Sequence, residues 1–201
     1  ELVRDGVLGK PLSAVATRRS SPPEWADWYR DPVLSGGAVL DLIVHDLDLL
    51  NGLFGGPRSV YARGHEAAPG LWNDIHAVID YGLAEGVVDG SQLMPRGFPF
   101  SCGLQVLCEH GGAEFVFRAG GASVEQPGES RLMVYEDGRA YVPVVPPGDA
   151  YERQVASFVE CVRQRRQPVH GSPEQARLAV LLAGAVRRSL ETGEISHLPE
   201  L

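Results

Sequence analysis

Asp41, His45 and Asp48 lie in the run GGAVLDLIVHDLD, residues 36 to 48. Each residue of an α-helix turns the chain by about 100°, so positions 41, 45, 48 and 52 fall within roughly 60° of one another. Leu40, Ile43, Val44, Leu47 and Leu50 cover most of the remaining circumference. A polar ribbon along an apolar helix is costly unless it meets water, a partner or a ligand. A carboxylate one turn before an imidazole can fix its tautomer and raise its basicity, so that His45 takes or gives a proton near neutral pH. The same spacing also suits a buried polar pair that links a helix to a sheet. Three donors on one stripe converge poorly on a single ion, and no HExxH pattern is present, so no metal is assigned.

The segment before this helix adds Trp25, Trp28, Tyr29 and Arg30. These aromatics could form a sugar-stacking wall with a polar handle, or simply pin a long loop to the domain. Arg30 could hold an anionic or hydroxylated ligand, or pair with Asp31. The other histidines carry less: His76 lies in a strand and could face the helices or solvent, and His110 sits beside a Gly-Gly turn.

The elements that must position these residues can be read from patterning. Residues 12–20 alternate loosely as a strand, 21–35 form a Pro- and Trp-rich loop, and a helix runs over 38–54 until Gly55, Gly56 and Pro57 stop it. From 58 to about 145, strand-type runs, ASVEQ among them, alternate with turn residues at 82–86, 111–112, 120–121 and 137–138. Two helices close the chain. Residues 150–166 place Tyr151, Val155, Phe158, Val159 and Val162 on one side; Ser172, Pro173 and Gln175 start the second, which ends at Gly193. The reading is one α+β domain over 1–201, a large open mostly antiparallel meander sheet with helices on one face. Val78, Val87, Leu104, Val106, Phe115, Phe117 and Val134 read as a leftover apolar sheet face, to be buried against a second subunit.

Composition narrows the function classes. A net charge of -8 disfavours nucleic acid as a partner. Three cysteines without a CxxC pair read as reduced thiols in a cytoplasmic protein, and no run is long enough for a membrane span. No Walker loop, GxSxG or GxGxxG after a strand is present. The opening ELVRDGVLGKPL starts in what reads as the last turn of a helix, so the chain is expected to be a fragment.

Three blocks, DGVLGKPL, WYRDPVLSGGAVLDLIVHDLDLLNGLFG and YERQVASFVECVRQRRQPVHGSPEQARLAVLLAGAVRRSLETGE, resemble the second domain of the Gfo/Idh/MocA family, the glucose–fructose oxidoreductase and inositol dehydrogenase relatives. The GGxxxDxxxHxxD block carries most of the likeness. The resemblance implies the substrate-binding and oligomerisation domain of a dehydrogenase whose Rossmann domain is absent from this chain. It implies NAD or NADP bound mainly by that domain, a sugar or cyclitol substrate, and a homodimer or homotetramer formed through the sheet. It makes His45 the catalytic histidine and Asp41 the acid that orients substrate and histidine. Asp48, Trp25, Trp28, Tyr29 and Arg30 are expected around the substrate. Lys10, in GKP, does not match the lysine of the family's upstream EKP motif. A noncatalytic binding module on the same fold stays open as the alternative.

Overall fold

The computed structural model describes residues 3, 5–24, 27–121, 128–145 and 148–199 of the chain. Trp25 and the run ASVEQ from 122 onward lie outside the described residues. Among the described residues nine strands form a single sheet: β1 (Pro11–Arg19), β2 (Ser59–Ala68), β3 (Leu71–Asp80), β4 (Glu85–Ser91), β5 (Ser101–Cys108), β6 (Gly111–Arg118), β7 (Glu129–Glu136), β8 (Arg139–Tyr141) and β9 (Ser196–His197). Their spatial order is β8-β7-β6-β5-β1-β4-β3-β2-β9. The expected α+β architecture is present, but the sheet is not a simple meander. β1 inserts between the two antiparallel runs, pairing antiparallel with β5 and parallel with β4.

Local chemistry sets the turns. Asp137 and Gly138 both adopt positive φ, 50° and 73°, the geometry that joins β7 to β8 tightly. The β5–β6 turn falls at Glu109 and His110, before the Gly pair expected to make it, because Gly111 and Gly112 already pair with β7. His110 is exposed there.

The helices are α1 (Pro32–Ser35), α2 (Gly37–Asp41), α3 (Val44–Phe54), α4 (Ala150–Gln164) and α5 (Pro173–Thr192). α5 starts with a complete capping box, Ser172 and Gln175 satisfying each other's backbone amides, and ends at left-handed Gly193. α2, α3 and α5 pack on β1 to β4 and on one another. Between them lies the core, with Ile43, Leu47, Leu50, Ile75, Ile79, Val88, Leu182 and Val186 all fully buried.

Two expectations need correction. The helix expected over 38–54 is broken: Leu42 and Ile43 both direct their amides at the Ala38 carbonyl, 3.1 and 2.9 Å away, and α3 starts anew at Val44. The cause is packing. Ile43 is fully buried against Gly90 of β4, where a Cβ on Gly90 would overlap the Ile43 side chain. Gly37, at φ +65°, lets α2 approach β3 so closely that a Cβ would lie 2.7 Å from the Trp72 carbonyl oxygen.

The second correction concerns the sheet faces. The cross-strand registers align Phe115 with Leu104 and Ala16, and Val134 with Ala113, Val106 and Ala14. Phe117 aligns with Cys102 and Arg18. All of these therefore share the helix side of the sheet. Val78 and Val87 align with Val15 on the opposite face. The seven residues read as one leftover face belong to two. The open face is mixed: Val15, Val78, Leu107, Val116 and Tyr135 are exposed among charged side chains.

Candidate functional site

Asp41 is the last residue of α2, and its carboxylate is held from two sides. Gln92, just past β4 and almost wholly buried, donates Nε2 to Asp41 Oδ2 at 2.6 Å. The Tyr29 hydroxyl hydrogen-bonds the same carboxylate. Burial and this acidic partner together push the Tyr29 phenol up to about 12. Gln92 is itself placed by the sheet, its backbone amide donating to the Asn73 carbonyl at 2.7 Å. The Asn73 side chain accepts from the first-turn amide of α2, Ala38 N, at 3.2 Å. The ends of β3 and β4 thus fix both α2 and the group that grips its terminal carboxylate.

His45 follows the helix break, in the first turn of α3. It is exposed, and among the described residues no hydrogen bond or ion pair joins it to Asp41. Asp48, nearly one turn further on, is exposed as well. The stripe of Asp41, His45 and Asp48 therefore does reach the surface, but across a kink, and the carboxylate–imidazole pair expected from the spacing is not formed. Asp41 bonds to Gln92 and Tyr29 instead.

The loop residues divide. Tyr29 is half-buried and stacks on exposed Trp28, ring centroids 4.1 Å apart. Arg30 is exposed and stands 4.0 Å from Asp27, not from Asp31. Asp31 caps α1, accepting from the Val33 and Leu34 amides.

Beneath His45 lies a pair that the sequence reading did not single out. Asp46, 2% exposed, accepts from Arg18 Nε at 2.8 Å and Arg18 Nη2 at 2.9 Å. Burial alone would lower the Arg18 guanidinium, yet the hydrogen bond and charge of Asp46 raise it above its ordinary value. Arg18 also lies over the Phe100 ring, 5.9 Å from its centroid. Burial raises the neighbouring Cys102 thiol above its ordinary value. A signal for Arg18 was available, because it shares strand parity with buried Ala14 and Ala16. Nothing local marks Gln92 as a partner of Asp41.

On the open face a polar ladder crosses the sheet. Arg19 pairs with Asp89, which stands 3.4 Å from His76; His76 in turn lies 3.5 Å from Asp74, and Asp74 2.9 Å from His65. His76 thus points away from the helices.

Among the described residues the sheet's one parallel pair, β1 and β4, is separated in the chain by α1 to α3, β2 and β3, not joined by a single crossover helix. Among the described residues no helix is long and apolar enough to cross a membrane.

Comparison with known proteins agrees with this architecture. The family model described as GFO/IDH/MocA C-terminal domain matches residues 1–114. Myo-inositol 2-dehydrogenase of Thermotoga maritima is 26% identical over 213 residues, covering 100% of this chain and 60% of the relative. Among solved structures, aldose-aldose oxidoreductase from Caulobacter crescentus complexed with glycerol superposes with a TM-score of 0.80 at 18% identity, over 98% of this chain and 58% of that one. The WlbA dehydrogenase from Bordetella pertussis, in complex with NADH and UDP-GlcNAcA, gives 0.71 at 20% identity, over 99% and 58%. At these identities the structural likeness speaks to fold alone. The chain spans about 60% of the length of the relative it matches.

Proposed function

Because the chain belongs to the GFO/IDH/MocA C-terminal domain family of oxidoreductases, we propose that it is the substrate-binding and oligomerisation domain of an NAD(P)-dependent dehydrogenase acting on a sugar or cyclitol hydroxyl. On this reading the nicotinamide cofactor is held mainly by a dinucleotide-binding domain preceding the present residues. The observation that carries it is the exposed imidazole of His45, four residues after a carboxylate, Asp41, that Gln92 and Tyr29 already orient.

The nicotinamide supplies the hydride acceptor when bound. His45 accepts the proton of the reacting hydroxyl, while the hydride leaves the same carbon. Asp41 keeps a lone pair for a substrate hydroxyl, and the Gln92 bond stops its carboxylate from rotating. Trp28 offers an aromatic face on which an apolar sugar face can stack, with Tyr29 braced behind it. Arg30 and Asp48, both exposed, reach further hydroxyls of the substrate. The open sheet face, with Val15, Val78 and Leu107 uncovered, pairs with a second copy.

One observation favours a noncatalytic binding module instead: Asp41 is bonded to Gln92 and Tyr29, leaving His45 without a carboxylate to fix its tautomer. Calorimetric titration of the complete gene product with NAD and NADP, followed by a screen of cyclitols and aldoses by absorbance at the reduced nicotinamide band, separates the two. Cofactor binding and substrate-dependent reduction support the dehydrogenase. Absence of any cofactor binding leaves the binding module.

A further inference from the structure

His45 stands between two anchored neighbours. Ile43, two residues before it, is fully buried, and Asp46, directly after it, is 2% exposed. Both are seated on one cross-strand row of the sheet, in which Gly90 of β4, Arg18 of β1 and Cys102 of β5 lie side by side. Gly90 leaves the space that Ile43 fills, and Arg18 takes the Asp46 carboxylate through Nε and Nη2. α3 opens without a side-chain cap on its amides. An acidic residue in a first turn ordinarily serves the helix's own N-terminus, but Asp46 turns both oxygens to β1 instead. The sheet thus fixes the turn that carries His45.

We propose that Arg18 is a positioning residue for proton transfer, holding the His45 imidazole in place through Asp46; this rests on the dehydrogenase reading above. A guanidinium that meets both oxygens of a carboxylate fixes orientation as well as distance. Here the fork joins two layers across 28 residues of chain. Arg18 also lies over the Phe100 ring, and that ring packs on Phe117 with centroids 6.3 Å apart. The groups assigned to substrate are held separately: Asp41 belongs to α2 and is gripped by Gln92 and Tyr29. Loss of the fork therefore displaces the imidazole and leaves the Asp41 contacts in place. A displacement of about 1 Å at a reacting group can lower a rate on the order of 10²-fold. Stability need not follow, because an apolar pair of similar volume often replaces a buried ion pair without loss.

Two variants test this, each with its urea midpoint measured. Arg18→Lys keeps the charge and loses the fork; Arg18→Met with Asp46→Leu loses both charges and keeps the packing. In the 201-residue chain, the Cε1 proton resonance of the His45 ring, assigned by its loss in His45→Ala, is expected to move or broaden in both variants, while that of His197 on β9 stays in place. In the complete gene product, with the cyclitol or aldose that the absorbance screen identifies, kcat is expected to fall by about tenfold or more in both, with KM within about twofold of the parent. The double variant shows this at a urea midpoint close to the parent's. A variant that turns over within about twofold of the parent overturns the proposal, and so does an unchanged His45 resonance. A kcat that falls only in step with the midpoint, or a rise in KM that matches the fall in kcat, overturns it as well, since either marks a general disturbance of the fold or site. Failure of the underlying reading shows separately: absent cofactor binding by calorimetry, or an unchanged kcat in His45→Ala, sinks the dehydrogenase whatever the ring resonance does.

Discussion

Arg18 of β1 and Asp46 of α3 form a two-bonded ion pair, 2.8 and 2.9 Å, directly beneath the first turn that carries His45. Its partners lie 28 residues apart and belong to different layers, so the pair sets where α3 begins on the sheet. Removing one partner from a buried pair leaves an uncompensated charge and costs about 3–5 kcal/mol, whereas replacing both by apolar groups is often neutral. We therefore expect Asp46→Ala to lower the urea midpoint of the chain sharply, and the double replacement Arg18→Met with Asp46→Leu to recover most of the loss. A midpoint shift for Asp46→Ala within error of zero would show that the pair does not secure α3.

Catalysis is expected to depend on His45 and Asp41 in different ways. On the dehydrogenase reading proposed above, His45→Ala in the complete gene product is expected to lower kcat by about 10²-fold or more, the usual contribution of a positioned acid–base group. Gln92→Ala, which frees the Asp41 carboxylate to rotate, raises KM more than it lowers kcat. Steady-state kinetics on the screened substrate checks both, and an unchanged kcat for His45→Ala assigns that residue to structure.

Tyr29 provides a pH signature of the Asp41 contact. Its phenol is raised from the ordinary 10.0 to about 12, burial contributing most and Asp41 next. A raised folded value means that the contact's stabilisation is complete below about pH 10 and disappears as pH climbs toward 12. Phenolate absorbance should show a tyrosine titrating near 12 that moves part of the way back in Asp41→Ala and is missing in Tyr29→Phe. A titration unaltered by Asp41→Ala would mean that the two groups do not interact.

The break between α2 and α3 is expected to be sterically coupled to Gly90. A methyl there overlaps Ile43, so Gly90→Ala should destabilise the chain by about 1–3 kcal/mol through overpacking. Ile43→Ala leaves a cavity by itself, yet in combination with Gly90→Ala it should cost less than the sum of the two single changes. Thermal melts of the three variants decide this, and strict additivity would refute the coupling.

Asp74 should make the open sheet face acid-sensitive. Burial would raise its carboxyl, but hydrogen bonds from His65 and Ser91 and the charge of His76 hold it below its ordinary value. A lowered folded value contributes stability above the ordinary carboxylate range and loses it as pH falls through that lowered value. His65→Ala should move the Asp74 carboxyl carbon titration upward by NMR; no movement would mean that the ladder is not electrostatically connected.

Much of the scaffold was legible because it rests on nearest neighbours. The Ser172–Gln175 capping box, the Asp137–Gly138 turn and the alternation of β1 each arise from residues within a few positions of one another. Asp41, His45 and Asp48 were identifiable as a polar stripe for the same reason. Assigning faces across strands was not possible in this way. Parity orders residues within a strand, but only the register that aligns Leu104 with Ala16, and Val78 with Val87, decides which strands' odd positions share a side. Reading Phe117 and Val78 as one face failed on that point.

The sequence by itself determined the element types, the turn chemistry and a motif dense enough to imply a family, because these follow from covalent neighbours and helical or extended periodicity. Tertiary structure decided the rest. Ile43 broke the long helix to fill the space over Gly90; Gln92, 51 residues away, took the carboxylate that spacing had offered to His45; Arg18 chose Asp46; and α4 was left bare. Each of these outcomes is a contact between residues distant in the chain. Such contacts are settled only when packing in three dimensions determines which groups lose their water and must find one another.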